Sequence, residues 1–452
     1  MKSIIKTAVL AVGFTAALSM SAFAAGWAVE NNTWVYYNND GSKAANEWKT
    51  GADGGYYYLD GWGNMVTNSF IDGERYVDSD GRMVTSGWRQ IDSRWYYFDS
   101  NGKLVTDQSK QINGAYYFFG DDGEMLTGWV MDGDGDWYYC DPSDGHMYVN
   151  TWKRLESSPE MDDIDSSRVN IEDDGTYWFY FKANGRVTRA DGSEDYEEAT
   201  INGNRYAFDQ CGRMVTGWTK LKETTPVIAG YKYYNDDESL GTYGAAHTGW
   251  LSAYPPEDEE SLGQDVVWYY FDYRGTPYYG TDVSTSDDDE TLEAKFRRIT
   301  RNGKTYTYLF NELGNPVYGL RKVRRSTGEV TSMYFGTRQE CCLQYGAKTV
   351  TEADGTESTF RFEDNGYGAT GVKNNKLYYM GKLQKAMDDS YAYYTVEGVT
   401  YLVSRSGSVV KNHNSKKDPD EVEFRSDSQG RRDGGYGEVS ELEEPVFEIT
   451  EV

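Results

Sequence analysis

Leucine, isoleucine, valine and phenylalanine are scarce in this chain. Only 78 of its 452 residues are Leu, Ile, Val or Phe. Such a low share, combined with a formal net charge of −28, is typical of chains that do not fold. The sequence instead contains 40 Tyr and 13 Trp, and each buried ring removes roughly 150–250 Å² from water. We therefore expect a folded protein whose core is built from aromatic rings.

Histidine is almost absent, and this argues against an enzyme. The three histidines, His146, His247 and His413, stand in unrelated contexts, whereas a zinc hydrolase needs a cluster of them. No Gly-x-Ser-x-Gly elbow occurs. The acidic residues could supply the two carboxylates of a glycosidase, but no repeat-free stretch is long enough for its domain. We expect no catalytic site, no metal site and no cofactor.

Cysteine is also scarce, with four residues at Cys140, Cys211, Cys341 and Cys342. None has the spacing of a zinc site. An exported protein could oxidise them, but Cys140 and Cys211 stand where neighbouring repeats hold other residue types. Free thiols and disulfides therefore both remain open.

The chain has one long apolar run, at its N-terminus. Lys2 and Lys6 accompany an apolar stretch that ends at Leu18, and Ala22-Phe23-Ala24 follows. This pattern is typical of a secretory signal peptide. The run is shorter than the roughly 20 residues that a membrane-spanning helix needs. We expect a signal peptide at residues 1–24, secretion of the rest, and no membrane insertion.

The acidic charge limits the possible partners. Removal of Lys2 and Lys6 with the signal peptide changes the net charge from −28 to −30. Such a chain does not bind nucleic acid, nor does it adhere to anionic lipid or phosphate polymers by its bulk charge. A cationic or neutral ligand fits this composition better.

Internal repetition is the main feature of the sequence. The fullest unit covers residues 86–106 and contains Gly87-Trp88, the aromatic run Trp95–Asp99 and the turn-forming pair Asn101-Gly102. Its spacing is about 20 residues. Its first tryptophan recurs at Trp27, Trp48, Trp88, Trp129, Trp152, Trp218 and Trp250, with Phe70 and Ser109 in weaker copies.

Each unit is predicted to form one β-hairpin. The run Trp95–Asp99 favours a strand, Ser100–Lys103 suits a tight turn because Asn-Gly accepts positive φ, and Leu104–Ser109 would return as the second strand. A lone hairpin is marginal in water, but hairpins in series can cover one another. We therefore expect an all-β solenoid of stacked hairpin repeats, about 20 residues each, with a disordered acidic C-terminal tail.

The pattern weakens along the chain, and this sets the expected domain boundaries. Residues 25–153 hold regular repeats, and residues 154–280 hold repeats interrupted by polar insertions at 155–172 and 253–264. Residues 281–410 read as degenerate hairpins. Residues 411–452 are polar and charged without periodicity, so a disordered tail is predicted there.

These units resemble the choline-binding or cell-wall-binding repeat family, to which glucan-binding repeats are similar. Residues 86–106 match most closely, and Thr127-Gly128-Trp129 with Trp137-Tyr138-Tyr139 matches well. The Met-x-Thr part appears at Met83-Val84-Thr85 and Met214-Val215-Thr216. Good copies cover about residues 26–153 and 200–275, and weaker ones extend to about residue 410.

The resemblance implies a set of ligand-binding residues. In the family, two tryptophans of one hairpin and an aromatic residue of the next form a box around a choline headgroup, often beside a methionine. Ring faces attract a quaternary ammonium, which cannot donate a hydrogen bond, by cation–π interaction. The matching positions are Trp27, Trp34, Tyr57 and Met65, then Trp88, Trp95, Tyr117 and Met125, then Trp129 with Trp137, and Trp250 with Trp268.

Some copies depart from the family pattern. The hairpin that follows Trp129 and Trp137 lies beyond an insertion, which leaves the third wall of that box open. Trp250 and Trp268 match in type but not in spacing. A structural role, as rings packed between hairpins, stays open for every tryptophan named. Three units lack the second tryptophan and carry Glu74, Ala115 or Arg205 at its place.

The sequence thus favours a secreted, non-catalytic protein that binds a cell-wall or surface polymer through choline-like groups or sugars. Attachment to a bacterial wall or surface would be non-covalent. Two alternatives remain: a carbohydrate-binding adhesin that stacks rings on glucans or host glycans, and a spacer without a ligand.

Overall fold

The computed structural model describes residues 25–157, 175–192, 194–256, 266–285, 289–387, 390–414 and 424–449. The expected signal peptide lies outside these residues. Within them the chain is all-β apart from one short 3-10 helix, Val227–Gly230, so the all-β prediction is confirmed. The described part contains no helix with the length and apolar character needed to cross a membrane.

The chain folds as two compact units. The first comprises residues up to 153 together with 180–187, and the second comprises 154–179 and the residues from 188 onwards. Strands of the first unit are β1 (Gly26–Glu30), β2 (Thr33–Tyr37), β3 (Glu47–Thr50), β4 (Tyr56–Leu59), β5 (Ser69–Ile71), β6 (Arg75–Val77), β7 (Gly87–Ile91), β8 (Arg94–Phe98), β9 (Gln108–Ile112), β10 (Ala115–Phe119), β11 (Gly128–Met131) and β12 (Trp137–Cys140).

Two further strands, β13 (Thr151–Glu156) and β14 (Thr176–Phe181), include the residues at which the two units divide. Strands of the second unit are β15 (Tyr196–Ile201), β16 (Asn204–Asp209), β17 (Gly217–Lys220), β18 (Tyr231–Tyr234), β19 (Gly249–Ala253), β20 (Val267–Phe271), β21 (Thr291–Glu293), β22 (Arg297–Arg301), β23 (Lys304–Tyr308), β24 (Leu320–Arg324), β25 (Val330–Tyr334), β26 (Gly346–Thr351), β27 (Glu357–Phe362), β28 (Gly371–Lys373), β29 (Lys376–Tyr379), β30 (Lys382–Leu383), β31 (Tyr391–Val396), β32 (Val399–Ser404), β33 (Phe424–Ser426), β34 (Arg432–Gly435) and β35 (Val439–Ser440).

The hairpin of each repeat turns earlier than the sequence predicts. Strands β7 and β8 pair antiparallel, with Ile91 opposite Arg94, so the tight turn is formed by Asp92 and Ser93. Both residues have positive φ, 48° and 69°, as a two-residue hairpin turn requires. The assignment of Ser100–Lys103 as the hairpin turn was therefore wrong. Short polar side chains at 92 and 93 adopt the conformation that was expected of an Asn-Gly pair.

The Asn-Gly turn has a different role, because it leads from one hairpin to the next. The Asp99 carboxylate accepts hydrogen bonds from the backbone N–H groups of Asn101 and Lys103, both at 2.8 Å. Gly102 follows with φ of 73°. The chain then makes a single bridge from Leu104 back to Phe98 before it enters the next hairpin.

Hydrogen bonds couple each hairpin of the first unit to the hairpin before it. The backbone N–H of Met125 donates to the carbonyl of Trp95 at 2.7 Å, and that of Met147 donates to Tyr116 at 2.8 Å. Packing follows the same spacing, since a Cβ added at Gly102 would lie 2.9 Å from the Met83 sulfur. Hairpins therefore stack in series, as the sequence predicts.

Rings and a few aliphatic side chains form a series of small cores. One core of the first unit combines Tyr76, Tyr96 and Phe98 with Val84, Ile91 and Leu104. Strand alternation explains it, because Tyr96 and Phe98 point to one face of β8 while Trp95 and Tyr97 point to the other. The low aliphatic content is thus compatible with a buried interior.

The second unit departs from simple hairpins in its later half. Strands β21, β24 and β25 form a three-stranded sheet, and β26, β27, β30, β29 and β28 form a five-stranded sheet in that order. One of its cores contains the buried side chains Leu292, Leu309, Val317, Val323, Met333, Phe335 and Leu343. The degenerate repeats of the sequence correspond to these broader sheets.

The C-terminal residues differ from the sequence expectation of a disordered tail after residue 411. Residues 415–423 and 450–452 lie outside the described residues, whereas residues 424–449 form β33, β34 and β35. Strand β35 pairs in parallel with β31. The Gln384 side chain accepts from the Glu443 N–H at 2.8 Å and donates to its carbonyl at 3.0 Å. Such contacts use mainly backbone groups, so they leave no periodic pattern in the sequence.

Candidate ligand-binding site

The register of each hairpin places two ring positions on the same face. Trp88 on β7 lies opposite Tyr97 on β8, and Trp95 is two residues before Tyr97. Because side chains two apart share a face of a strand, Trp88 and Trp95 meet across the hairpin. Their ring centroids are 6.4 Å apart and their planes are nearly perpendicular, at 87°.

The same arrangement recurs in both units. Trp129 and Trp137 in the first unit have centroids 6.2 Å apart at 85°. Trp250 and Trp268 in the second unit have centroids 6.3 Å apart at 83°. The second pair keeps this geometry although 18 residues separate its members in sequence, because the insertion extends the hairpin loop and Trp250 still lies opposite Tyr270.

The next hairpin supplies a third ring. The ring centroids of Tyr117 and Trp88 are 4.8 Å apart, with the ring planes at 70°. Those of Tyr57 and Trp27 are 5.4 Å apart, with the planes at 73°. In the second unit Tyr308 lies 5.1 Å from Trp250. Sequence reasoning found the first two of these third rings and missed Tyr308, because its hairpin belongs to the degenerate part of the chain.

A pocket of about 350 Å³ opens at the first of these boxes. Trp34 exposes 47% of its surface there, and Trp27 is partly buried, with its indole N–H donating to the Thr50 carbonyl at 3.2 Å. The pocket is lined by Trp27, Trp34, Gly51, Ala52, Asp53, Tyr57, Met65 and Asp80. All four residues that the sequence predicted for this site therefore line one cavity.

Two carboxylates give the first pocket a negative charge. The Tyr57 hydroxyl donates to Asp53 at 3.0 Å, and the Gly55 N–H donates to the same carboxylate at 3.0 Å. These hydrogen bonds lower the pKa of Asp53, and the bond from Gly55 has the larger effect. The Arg82 guanidinium, 3.8 Å from the carboxylate, lowers the pKa further. Burial and the hydrogen bond to Asp53 raise the pKa of Tyr57. The pocket thus keeps a neutral phenol beside an ionised carboxylate.

Methionines serve the fold as well as the pocket. A Cβ at Gly81 would lie 2.8 Å from the Met65 methyl, and one at Gly145 would lie 2.3 Å from the Met125 sulfur. Met125 also packs against the core formed by Val105, Ile112 and Phe119. The turn glycine of one repeat therefore fits against the methionine of the repeat before it.

A larger pocket, of about 820 Å³, opens beside Trp250 and Trp268 in the second unit. Trp268 exposes 52% of its surface. Polar side chains contribute much of the remaining lining. The lining residues are Trp250, Tyr254, Val266, Trp268, Arg301, Tyr308, Pro316, Arg338, Gln339, Glu340 and Cys341.

The four predicted pairs differ in how much of the second ring is exposed. The second ring is half exposed in three of them, at 47% for Trp34, 42% for Trp95 and 52% for Trp268, but Trp137 exposes only 7%. Trp137 therefore has no open ring face, although its angle and distance to Trp129 match those of Trp88 with Trp95 and of Trp250 with Trp268. The sequence left the third ring of this pair open, and Phe181 lies at that place, with its ring centroid 6.0 Å from that of Trp129.

Sequence reasoning missed one box and misplaced one position. Trp218 meets Tyr231 at 6.2 Å and 86°, and Tyr269 of the next hairpin at 4.8 Å. The sequence pattern required tryptophan at the second position, so it did not identify this box, in which Tyr231 occupies that position. Tyr116 holds the second position that was assigned to Ala115, since its carbonyl accepts from Met147 as that of Trp95 accepts from Met125.

One cluster of potential metal ligands occurs among the described residues. Ligand atoms of Asp141, Asp144 and His146 lie within 4.8 Å of one another. The Asp141 carboxylate already accepts hydrogen bonds from Ser143 and from the Tyr148 hydroxyl at 2.6 Å. These interactions account for its position in the turn. No disulfide joins the four cysteines, and Cys140, Cys211 and Cys342 are buried.

Three solved structures from Streptococcus pneumoniae are similar to this chain. The modular autolysin LytC is 20% identical over 65% of this chain and 52% of its own length, with a TM-score of 0.38. The choline-binding domain of CbpL is 23% identical over 45% of this chain and 99% of its own, with a TM-score of 0.29. Choline binding protein F is 19% identical over 77% and 98%, with a TM-score of 0.32.

This chain spans about half the length of the autolysin. At these identities and TM-scores, the structural similarities carry no argument about a ligand. No curated protein sequence matches the chain. Residues 24–70, 84–113 and 105–152 do match the family model of the choline-binding repeat. The resemblance of this part of the chain to the choline-binding repeat family is thereby confirmed.

Proposed function

We propose that this chain is a secreted, non-catalytic protein that holds the quaternary ammonium groups of a cell-wall polymer in aromatic boxes between its hairpins. The observation that carries this proposal is the first pocket. Its three rings, Trp27, Trp34 and Tyr57, surround a space of about 350 Å³ beside Asp53 and Asp80. The match of residues 24–70 to the choline-binding repeat supports the same ligand.

The chemistry of this pocket favours a cation over a neutral sugar. A quaternary ammonium cannot donate hydrogen bonds, so ring faces and nearby negative charge are the interactions open to it. The pocket offers both, through the half-exposed Trp34 and the ionised Asp53. A cation–π contact contributes about 2 kcal/mol when it is desolvated and about half or less when it is exposed.

Several weak boxes would act together on a polymer. Open second rings occur at Trp34, Trp95 and Trp268. When one group of a polymer is bound, the next is held near its box at high effective concentration, so the combined affinity exceeds that of each site. This supports non-covalent attachment to a repetitive wall polymer.

The pair formed by Trp129 and Trp137 has a structural role in this proposal. Trp137 is 7% exposed, whereas the equivalent Trp95 is 42% exposed. A buried ring cannot present a face to a ligand without moving. We therefore assign this pair to packing within the stack of hairpins.

Retention on a choline-derivatised resin tests the proposal. We expect the full chain to be retained and then eluted by free choline, and to pass through a resin that carries the uncharged tert-butyl analogue. The variant Trp34→Ala/Trp95→Ala/Trp268→Ala should lose retention. The matched control, Glu74→Ala/Arg205→Ala, changes second positions that carry no ring and should be retained like the parent.

Other results of these assays would favour one of the alternative functions. Passage through the choline resin, together with binding on a glycan array, would identify a carbohydrate-binding adhesin and overturn the proposal. Absence of binding in both assays would indicate a spacer. Equal retention on the two resins would show that apolar contact, rather than cationic charge, is recognised.

A further inference from the structure

One segment of this acidic chain is strongly basic. Residues 294–328 contain nine lysines and arginines and a single acid, Glu312, whereas the whole chain has a net charge of −28. The stretch 294–311 holds five of these cations and no acid. A concentration of positive charge attracts an anionic partner, and the cationic ligand proposed for the aromatic boxes does not account for it.

Four of these cations lie on the hairpin formed by β22 and β23. Arg297, Arg298 and Arg301 belong to β22, and Lys304 begins β23. All four residues are exposed, and Arg301 lies directly opposite Lys304 at the end of the hairpin. A strand of five residues is about 13 Å long, so four positive charges occupy one short hairpin.

These four cations have no carboxylate partner among the residues that the structure describes. No carboxylate oxygen there lies within 4.0 Å of their charged nitrogen atoms. The acidic residues that flank the stretch in sequence are already engaged. Glu293 forms an ion pair with Lys295 at 2.7 Å, and Glu312 accepts the Asp282 N–H at 2.9 Å. The hairpin therefore presents its positive charge to the solvent.

The second group of cations in the basic segment, on and after β24, is neutralised within the fold. Arg321 is buried and forms an ion pair with Glu290 at 2.8 Å. Arg325 forms an ion pair with Glu329 at 2.9 Å. These cations serve the packing of the second unit, so the charge that is open to a partner is that of the β22–β23 hairpin.

Hydroxyl groups accompany the cations on the outer face of this hairpin. Ile299 is buried, and because side chains alternate along a strand, Arg298 and Thr300 point away from the core. They lie opposite Thr307 and Thr305, and the hydroxyls of Thr300 and Thr305 are hydrogen-bonded at 3.0 Å. This face thus offers a guanidinium and three hydroxyls, which suits a polar anionic ligand.

We propose that the β22–β23 hairpin is an interaction surface for a sulfated polysaccharide, a partner separate from the ligand of the aromatic boxes. Guanidinium and ammonium groups donate charge-assisted hydrogen bonds to such anions, and threonine hydroxyls can bond to sugar hydroxyls. Four cations along about 13 Å require roughly one anionic group every 3–4 Å. A polysaccharide with several sulfates per disaccharide reaches this density, whereas a polymer with one phosphate in each multi-sugar repeat does not.

A sulfated polysaccharide fits this surface better than a nucleic acid does. Single-stranded nucleic acid is held by stacking of its bases on aromatic rings, and the outer face carries hydroxyls in place of rings. Duplex DNA has one negative charge per about 1.7 Å, so the net charge of −28 repels it most strongly. Screening over about 8 Å at physiological ionic strength confines that repulsion, so the hairpin determines binding at contact.

Binding of a heparin oligosaccharide to the full chain tests the proposal, because heparin is a densely sulfated polysaccharide. Fluorescence anisotropy of the labelled oligosaccharide gives the Kd over a series of salt concentrations. Chemically desulfated heparin and duplex DNA serve as competitors. We expect both to compete at least about tenfold more weakly than unlabelled heparin, equivalent to about 1.4 kcal/mol. The Kd for heparin should rise with salt concentration, because each charge contact releases a counterion.

Substitutions assign the binding to the hairpin. Arg297→Gln/Arg298→Gln/Lys304→Gln removes three of the four cations and leaves Arg301, which lines the larger pocket. We expect the Kd for heparin to rise at least about tenfold. The slope of log Kd against log salt concentration should fall by about 2, since roughly 0.7 of a counterion is released per contact.

The matched control is Arg274→Gln/Lys373→Gln/Lys411→Gln, which makes the same change in net charge outside the hairpin and within the second unit. It should bind heparin like the parent. Retention on the choline resin should be unchanged in both triple variants. Because the Arg297 guanidinium lies 4.8 Å from the centroid of the Tyr278 ring, Arg298→Glu is a second test that leaves this contact intact, and it should also weaken heparin binding.

Four results would overturn the inference: no heparin binding at low salt, a Kd that survives both Arg298→Glu and the triple substitution in the hairpin, an equal loss in the matched control, or equal competition by desulfated heparin. Tighter binding of duplex DNA than of heparin would assign the hairpin to nucleic acid and overturn it as well. Failure of the parent chain to bind the choline resin would contradict the proposed function and leave the result with heparin to stand by itself.

Discussion

Replacing Trp95 with alanine should separate binding from folding. Trp95 is 42% exposed and its described ring contact is with Trp88, at 6.4 Å. Loss of one such ring pair costs about 1 kcal/mol of folding free energy. Loss of one wall of a cation–π box costs about 2 kcal/mol of binding free energy, which is about a 30-fold rise in Kd. The number of choline molecules bound per chain should therefore fall by one.

Trp137→Ala is the matched control, because Trp137 holds the equivalent position in its hairpin but is 7% exposed. Removing a buried tryptophan costs about 3–5 kcal/mol of folding free energy, and we expect the choline stoichiometry of the folded protein to stay unchanged. Equilibrium dialysis gives the stoichiometry and urea unfolding gives the stability. The reasoning is refuted if Trp95→Ala binds as many choline molecules as the parent, or if Trp137→Ala loses a site without losing stability.

Three further predictions concern the acidic pocket, the C-terminal residues and the thiols. Hydrogen bonds from Gly55 and Tyr57 lower the pKa of Asp53, so this carboxylate stays charged as the pH falls. The affinity for choline at Trp34 should therefore be equal at pH 7 and pH 5 and should decline only below about pH 4. A decline between pH 7 and pH 5 would contradict this prediction. Truncation after residue 414 removes Leu442 and Phe447, which pack against cores of the second unit. At about 1.5–3 kcal/mol per apolar side chain, it should lower the free energy of unfolding by about 3–6 kcal/mol. An unchanged urea midpoint would show that the segment is dispensable. Burial raises the pKa of Cys140 to about 12, so this thiol should react with maleimide only in urea. Reductant should leave the melting temperature unchanged because no disulfide joins the four cysteines.

The repeat made much of the fold predictable. Alternating rings at fixed spacing predict hairpins, and their number predicts stacking, because a lone hairpin cannot bury its rings. The position of the turn was not predictable in the same way. Asp92 and Ser93 form it with positive φ, while the stronger Asn-Gly signal nine residues later marks the connection between hairpins.

Pairs within a hairpin were easier to predict than contacts between hairpins. Trp88 and Trp95 are seven residues apart, and strand alternation alone places them on one face. Tyr308 is 58 residues from Trp250, and it becomes the third ring only through the packing of a hairpin that has lost the sequence pattern. Exposure of the second ring also depends on packing, so sequence could not distinguish Trp137 from Trp95.

The C-terminal segment shows the limit of periodicity as a signal. Residues 424–449 have few rings, and their contacts run through backbone groups such as the Glu443 amide bonded to Gln384. The parallel pairing of β35 with β31 joins residues far apart in sequence. Hydropathy patterning predicts strands that bury one face, and these short strands do not follow it.

Calorimetric titration of the full chain with choline, compared with the uncharged tert-butyl analogue of choline, tests the central claim most directly. The two ligands share shape and volume and differ in the charge that the rings and Asp53 would recognise. The account predicts several choline sites per chain and at least tenfold weaker binding of the analogue, since about 1.4 kcal/mol or more of each site would come from the cation. Equal affinity for the two ligands, or no heat with choline, would contradict it.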